Sequence, residues 1–256
     1  MASEGRPPTP VRRGSKTRMA VPRIKPGDGH DGFRMTSLAF ATVVQWLPFL
    51  LGGAARTLEV VVMALALGIV CGLAGGLARL SRNRVVRGLA GVYVSVVRGT
   101  PFVVQLFFIY YGIPQLGLPI PAMLAAVGTL GIYSGAYQTE IVRGAIQSVD
   151  RGQSEAARAL GLSRYQALRL IVLPQALLRM LPPLGNEFVS LTKNSALVSL
   201  VTVRELFLSA QMVISTTFQN FAIFLTIGAM YYAMTSVVGG LTHLMERRLS
   251  VYMARD

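Results

Sequence analysis

Charge is what this 256-residue chain has least of. Asp, Glu, Lys and Arg make up 14% of it and hydrophobic residues 52%, where a soluble domain is about one quarter charged. The shortage is concentrated. No charged residue occurs from Gly99 to Thr139, nor from Leu206 to Met245. Each gap accommodates two membrane crossings of roughly 20 residues. With a mean hydropathy of +0.52, the pattern excludes an ordinary soluble domain and points to an all-α polytopic membrane protein. The period-two alternation of a transmembrane barrel is absent.

Other absences narrow the chemistry. There is one cysteine, Cys71, in an apolar stretch, so no internal disulfide forms and a small packing residue is the simplest reading. The two histidines, His30 and His243, stand far apart without the neighbours of a metal site. No nucleophile lies beside a base and no carboxylates are paired, which argues against a membrane enzyme. Gly14–Thr17 reads GSKT but lacks the G-x-x-x-x-G-K-[ST] spacing and follows no strand. No other segment comes closer, so no ATPase site or bound cofactor is expected and any ATP is used by a partner. Inverted repeats, the mark of many secondary transporters, are not visible. The net charge of +14 does not indicate nucleic acid, because the basic residues lie in short runs flanking apolar spans, as in orienting cytoplasmic loops.

Residues 1–34 form a separate zone with five prolines, eight basic residues and three acidic ones, the composition of a disordered tail. Residues 35–256 form the transmembrane domain. Its expected spans are 57–78, 89–111, 122–146, 184–203 and 221–241, five core helices in all. A further uncharged stretch, 36–55, is interrupted by Pro48 and ended by Gly52-Gly53. It is either a sixth crossing or a half-buried interfacial helix anchored by Trp46. Five spans with a cytoplasmic C-terminus put the basic tail outside, against its charge. Either 36–55 crosses and returns the tail to the cytoplasm, or translation begins at Met19 or Met35; a start at Met35 removes the conflict without adding a span, so the tail is expected to be missing from the native protein. Gly68, Gly72, Gly75 and Gly76 in the first span predict a close helix contact. Arg98 and Pro101 fall inside the second span, where a charge must face protein or water.

The most informative run is polar. Residues 147–180 form a basic segment that includes EAARALGLSRYQALRLIVLP, Glu155–Pro174. Gly161 is a helix stop, and Ser163-x-x-Gln166 is a capping box that starts the next helix. Leu168, Ile171 and Val172 form one apolar stripe, which Pro174 and then Pro182-Pro183 are expected to break. The spacing of Glu155, Ala156 and Ala157, then Gly161, then Ile171, Leu173 and Pro174 resembles the EAA motif of ATP-binding-cassette (ABC) importer permeases. RGTPFVVQLFFIYYG (residues 98–112) and AYQTEIVRGAIQSV (residues 136–149) make it similar to the polar amino-acid (histidine/glutamine) branch. KNSALVS at Lys193–Ser199 departs from that branch, which has an acidic residue and then threonine at Asn194 and Ser195.

The resemblance implies an ABC type I importer transmembrane fold with cytoplasmic coupling helices, in a bacterial inner membrane, with the EAA loop and C-terminus in the cytosol. It implies as partners an ATPase dimer that uses ATP, an extracytoplasmic substrate-binding protein and a second permease subunit, identical or homologous. The coupling residues carried over are Glu155, Ala156, Ala157, Gly161, Ile171, Leu173 and Pro174. Small residues at Ala156 and Ala157 let the helix seat in a groove, and bulky charged replacements at Ala157 or Gly161 are expected to uncouple hydrolysis from uptake. Candidate path residues are Arg98, Gln105, Glu140, Glu187, Asn194 and Ser195, with a carboxylate for a substrate ammonium and Arg98 for its carboxylate. The rival reading of each is structural, and Glu140 with Arg143, three apart, fits a local ion pair. An opine or other small solute is the alternative cargo, and a non-ABC secondary transporter the alternative class.

Overall fold

A computed structural model describes residues Gly29–Met253, with side chains over 40–248. The chain divides into two units, Met1–Ser37 and Leu38–Asp256. Of the first, residues 29–37 are described, as helix; the architecture below is that of the second. The expected disordered tail lies outside the described residues over 1–28. Its last six positions instead open a helix, since no proline intervenes between Pro26 and Pro48 and a nucleated helix propagates cheaply.

Regular structure among the described residues is helical throughout. The elements are α1 (Gly29–Arg79), α2 (Arg84–Gly99), α3 (Phe102–Phe107), α4 (Ala122–Ser148), α5 (Arg151–Ala159), α6 (Arg164–Ala167), α7 (Leu173–Asn194), α8 (Leu206–Thr217) and α9 (Asn220–Met253). Three segments are long and apolar enough to cross a membrane: Phe40–Arg79, Arg164–Val201 and Asn220–Arg248. The 27-residue α4 is about 40 Å long. It is less apolar because it buries Thr129, Ser134, Gln138 and Thr139 between its neighbours. Both α4 and α9 pack on α7.

The stretch 36–55 is neither a separate crossing nor a separate interfacial helix. It is continuous with the first span in α1, and Pro48 sits inside that helix. Gly52-Gly53 does not end it. A Cβ on Gly53 would fall 3.0 Å from the Leu206 backbone, so glycine is needed there for close approach to α8. The other glycines act as expected. A Cβ on Gly68 would lie 2.6 Å from Gln138 Nε2, and Gly72, Gly75 and Gly76 face Gln138, Thr139 and Val142 of α4 equally closely.

The expected straight span 89–111 is two pieces bent by 105°. Pro101 forces the preceding Thr100 into extended backbone and restarts the chain as the N-cap of α3. Gln105 fixes the elbow. Its Nε2 donates to Val97 O at 2.8 Å, Thr100 O at 3.2 Å and Thr100 Oγ1 at 2.8 Å, satisfying carbonyls left open at the end of α2. Arg98 is therefore not inside a straight span but in the exposed last turn of α2, beside the break.

The prolines expected to break the helix after the coupling segment do not do so. Residues 164–201 form one continuous helical run of 38 residues, about 57 Å long. A π turn at Leu168–Val172, closed by Leu173 N–H donating to Leu168 O, precedes Pro174. The wider turn gives the pyrrolidine ring room where it would meet the Leu170 carbonyl. The same device recurs at Phe108–Gly112, with Ile113 N–H donating to Phe108 O just before Pro114. Pro182 and Pro183 lie inside α7, as packed membrane helices tolerate.

Three buried clusters organise the packing. Val60, Val61 and Ala64 join Phe102, Leu106, Leu130, Leu191 and Val198. Leu50 and Ala54 pack with α8 and with Ile223 and Ile227 of α9. Val142, Ala145 and Val149 pack with Val172, Ala176 and Met180 beside the coupling segment. Glu205, fully buried, caps α8 by accepting from Leu208 N–H at 2.9 Å, and accepts from Thr57 Oγ1 at 3.2 Å and the Tyr231 hydroxyl at 2.7 Å. That one carboxylate ties α1, α8 and α9 together.

Candidate coupling segment and translocation path

The basic segment folds as its sequence dictates. Asp150 caps α5 by accepting from Gly152 N–H at 2.6 Å. The helix closes with Gly161 N–H donating to Arg158 O at 3.0 Å and Leu162 N–H to Ala157 O at 3.2 Å, a Schellman arrangement. Gly161 has φ +90°, a backbone region that disfavours any Cβ. Ser163 and Gln166 form the expected reciprocal box, at 2.8 and 3.3 Å. The chain then enters the π turn and α7 without a break.

α5 packs on the π turn, and Ala157 is buried at 5% exposure. Ala157 thus serves this chain's own packing and is not offered to a groove elsewhere, whereas Glu155 and Ala156 are exposed. Ile171 and Leu173 are half-buried and Pro174 exposed. Glu155 makes no ion pair among the described residues. Leu160, at 85% exposure, with Tyr165 at 68%, gives the segment an apolar surface among Arg151, Arg158, Arg164 and Arg169. Sequence reasoning passed over Leu160; the available signal was a lone large apolar residue in a basic turn. The segment is fastened to α4 by Arg179, which donates to Ser148 O and, at 3.1 Å, to Ser148 Oγ.

Of the six candidate path residues, the structure gathers two. Arg98 lies over the Tyr137 ring at 4.8 Å. Glu187 of α7 accepts from Ser134 Oγ at 2.8 Å, and Gln138 Nε2 donates to the same hydroxyl at 2.9 Å. Tyr137 and Ser134, one turn apart on α4, thus bring Arg98 and Glu187 to the same helix, and the hydroxyls of Tyr133 and Tyr137 meet at 3.1 Å. Gln105 is occupied at the elbow. Ser195 is buried, donating to Thr192 O at 2.7 Å, and Asn194 is half-buried at the end of α7. Glu140 sits at the foot of α4, held by Arg143 at 2.6 Å and by Arg79 of α1 at 3.3 Å. It is the structural pair of the rival reading, extended to a second helix.

The arginine-rich segment from Arg164 and the buried-facing Glu187 thus lie on one continuous helical run, 164–201. Binding-protein-dependent transport system inner membrane components match this chain over residues 64–251. The chain belongs to that family. It is 41% identical over 207 residues to the glutamine transport system permease protein GlnP of Escherichia coli K12, covering 80% of this chain and 94% of that one. It is 35% identical over 214 residues to the arginine transport system permease protein ArtQ of Bacillus subtilis 168, covering 83% and 98%. The crystal structure of an amino acid ABC transporter with histidines superposes with a TM-score of 0.78 at 40% identity, over 82% of this chain and 98% of that one. The fold is that of an ABC type I importer permease. Membership makes this transport component a membrane subunit whose system includes a separate ATPase that uses ATP and a substrate-binding protein.

Proposed function

We propose that this chain is the permease subunit of an importer for polar amino acids, and that two such subunits, identical or homologous, enclose the path. Residues Glu155–Gly161, with Leu160 at their tip, dock on an ATPase dimer in the cytosol of a bacterium, on the side where the C-terminus also lies. The observation that carries this reading is the unbroken helical run 164–201. It carries both Glu187 and the π turn on which α5 packs, so a push on α5 is passed along one helical run to the carboxylate. Arg98 is suited to the substrate carboxylate and Glu187 to its ammonium, each a charge worth keeping in a membrane only if it faces protein or water.

ATP-dependent uptake of labelled amino acids into vesicles containing the complete transporter tests this. Uptake should require the ATPase and the binding protein, and Arg98→Gln or Glu187→Gln should raise KM at least tenfold, or about 1.4 kcal/mol. Uptake without an ATPase, or unchanged KM in both variants, would sink the corresponding half of the reading.

A further inference from the structure

We propose that the cleft between the end of α4, α5 and the π turn seats an anionic phospholipid from the adjoining leaflet, and that its occupancy tunes how a push on α5 reaches α7. The binding stands on the geometry of the cleft; its effect on coupling rests on the functional reading above. The cleft measures about 520 Å³, the size of a small-molecule site. One side is polar and cationic, with Arg151, Ser154 and Arg164; the other is apolar, with Val149, Leu168 and Val172. A phospholipid joins the same two chemistries in one molecule, a phosphate for the arginines and acyl carbon for the apolar wall.

Three observations select that ligand. The first is unmatched charge. Arg151 and Arg164 have no hydrogen-bond or ion-pair partner among the described residues. The acidic residue in the lining, Asp150, already accepts from Gly152 N–H at 2.6 Å. Guanidinium groups match phosphate oxygens in bidentate fashion, and basic pockets between membrane helices bind acidic headgroups. The second is depth. Arg56 and Arg79 stand 23 positions apart on α1, about 34 Å, just over the roughly 30 Å of a bilayer core. The Arg79–Glu140 pair therefore marks an edge of that core. The cleft opens at Ile146, six positions past Glu140 on α4, about 9 Å further on. A headgroup layer is roughly 5–8 Å deep, and arginine stems reach back across the difference. The third is the face used. Ser154 and Ala156, two positions apart, lie on opposite sides of α5, so the cleft leaves exposed Ala156 free for the ATPase. Leu168 and Val172 are the first and last residues of the π turn, on which α5 packs. A lipid seated there touches α4, α5 and the π turn together and stiffens the joint through which a push must pass.

Photoactivatable phosphatidylglycerol tests the site directly. The complete transporter is reconstituted in phosphatidylcholine doped with that lipid, illuminated, and mapped by peptide mass spectrometry. Label should fall within residues 146–172, drop by about fivefold or more in Arg151→Gln/Arg164→Gln, and persist in Arg151→Lys/Arg164→Lys, which keeps the charge. In vesicles, phosphatidylglycerol should raise uptake per ATP hydrolysed in the unaltered protein and in the Lys pair, but not in the Gln pair. Label confined to other segments, or equal label in the Gln pair, overturns the proposal. So does removal of the label by excess inorganic phosphate, which would make this a free-anion site. Release of the ATPase by the Gln pair also overturns it, because the arginines would then belong to that contact. Uptake by the unaltered vesicles without ATP would instead sink the functional reading, and the labelling result would stand apart from it.

Discussion

Two neighbouring residues in the coupling turn have opposite work. Gly161 is internal: with φ +90°, any L side chain there is strained by roughly 1–2 kcal/mol. Leu160 is external, at 85% exposure, and its loss leaves the fold untouched. Gly161→Val should lower the melting temperature of the isolated permease. Leu160→Asp should leave it unchanged yet abolish co-purification of the ATPase and cut uptake more than tenfold. If Leu160→Asp retains the ATPase, the docking surface lies elsewhere. Ala157 behaves as a third kind. Because it is buried, a bulky charge there disrupts packing before it can report on coupling, so the uncoupling expected from the sequence is better tested at exposed Ala156. The glycine and the capping box were readable from spacing because they answer local backbone needs. The burial of Ala157 was not, since it depends on the π turn folding back against α5.

At the scale of elements, prolines misled in both directions. Pro174, Pro182 and Pro183 read as breaks, yet one helical run passes through them, because a widened turn and packed neighbours absorb the lost bonds. Pro101 read as a feature within a span, yet it marks a 105° bend. The difference lies in the partners near each ring. At the elbow, Gln105 donates back to Val97 and Thr100 and makes the break stable. Gln105→Glu removes those donors and sets a carboxylate against carbonyl oxygens. Leaving such groups unpaired costs about 1–3 kcal/mol, to be seen as a lower midpoint in thermal unfolding in detergent. Gln105→Asn, too short to span the elbow, should behave similarly. Wild-type stability in both would mean that Pro101 alone holds the bend.

Across the whole molecule, the ends differ in chemistry. One end carries Arg79, Glu140, Arg143 and the coupling turn; the other carries Arg56, Glu59 and Arg204. With Cys71 replaced by Ser, a single cysteine placed at Ala156 should react with an impermeant maleimide only in inside-out vesicles, and one at Thr202 only in intact cells. Labelling of Ala156 from outside would reverse the molecule in the membrane and remove the ATPase from its proposed seat.

The sequence by itself determined the membrane class, the capped and glycine-closed turn after α5 and the glycine face of the first span, because each follows from local hydropathy, backbone torsion or side-chain volume; of the five expected spans, three are long and apolar enough to cross and a fourth is the bent pair. Only the tertiary structure decided which charges meet. It set Arg98 beside Tyr137, bound Glu140 to Arg79 sixty-one positions away, buried Glu205 between α1 and α9 and merged the coupling segment with α7. Those outcomes depend on distant helices packing at close range. Spacing along the chain carries no record of which face of one helix will meet which face of another.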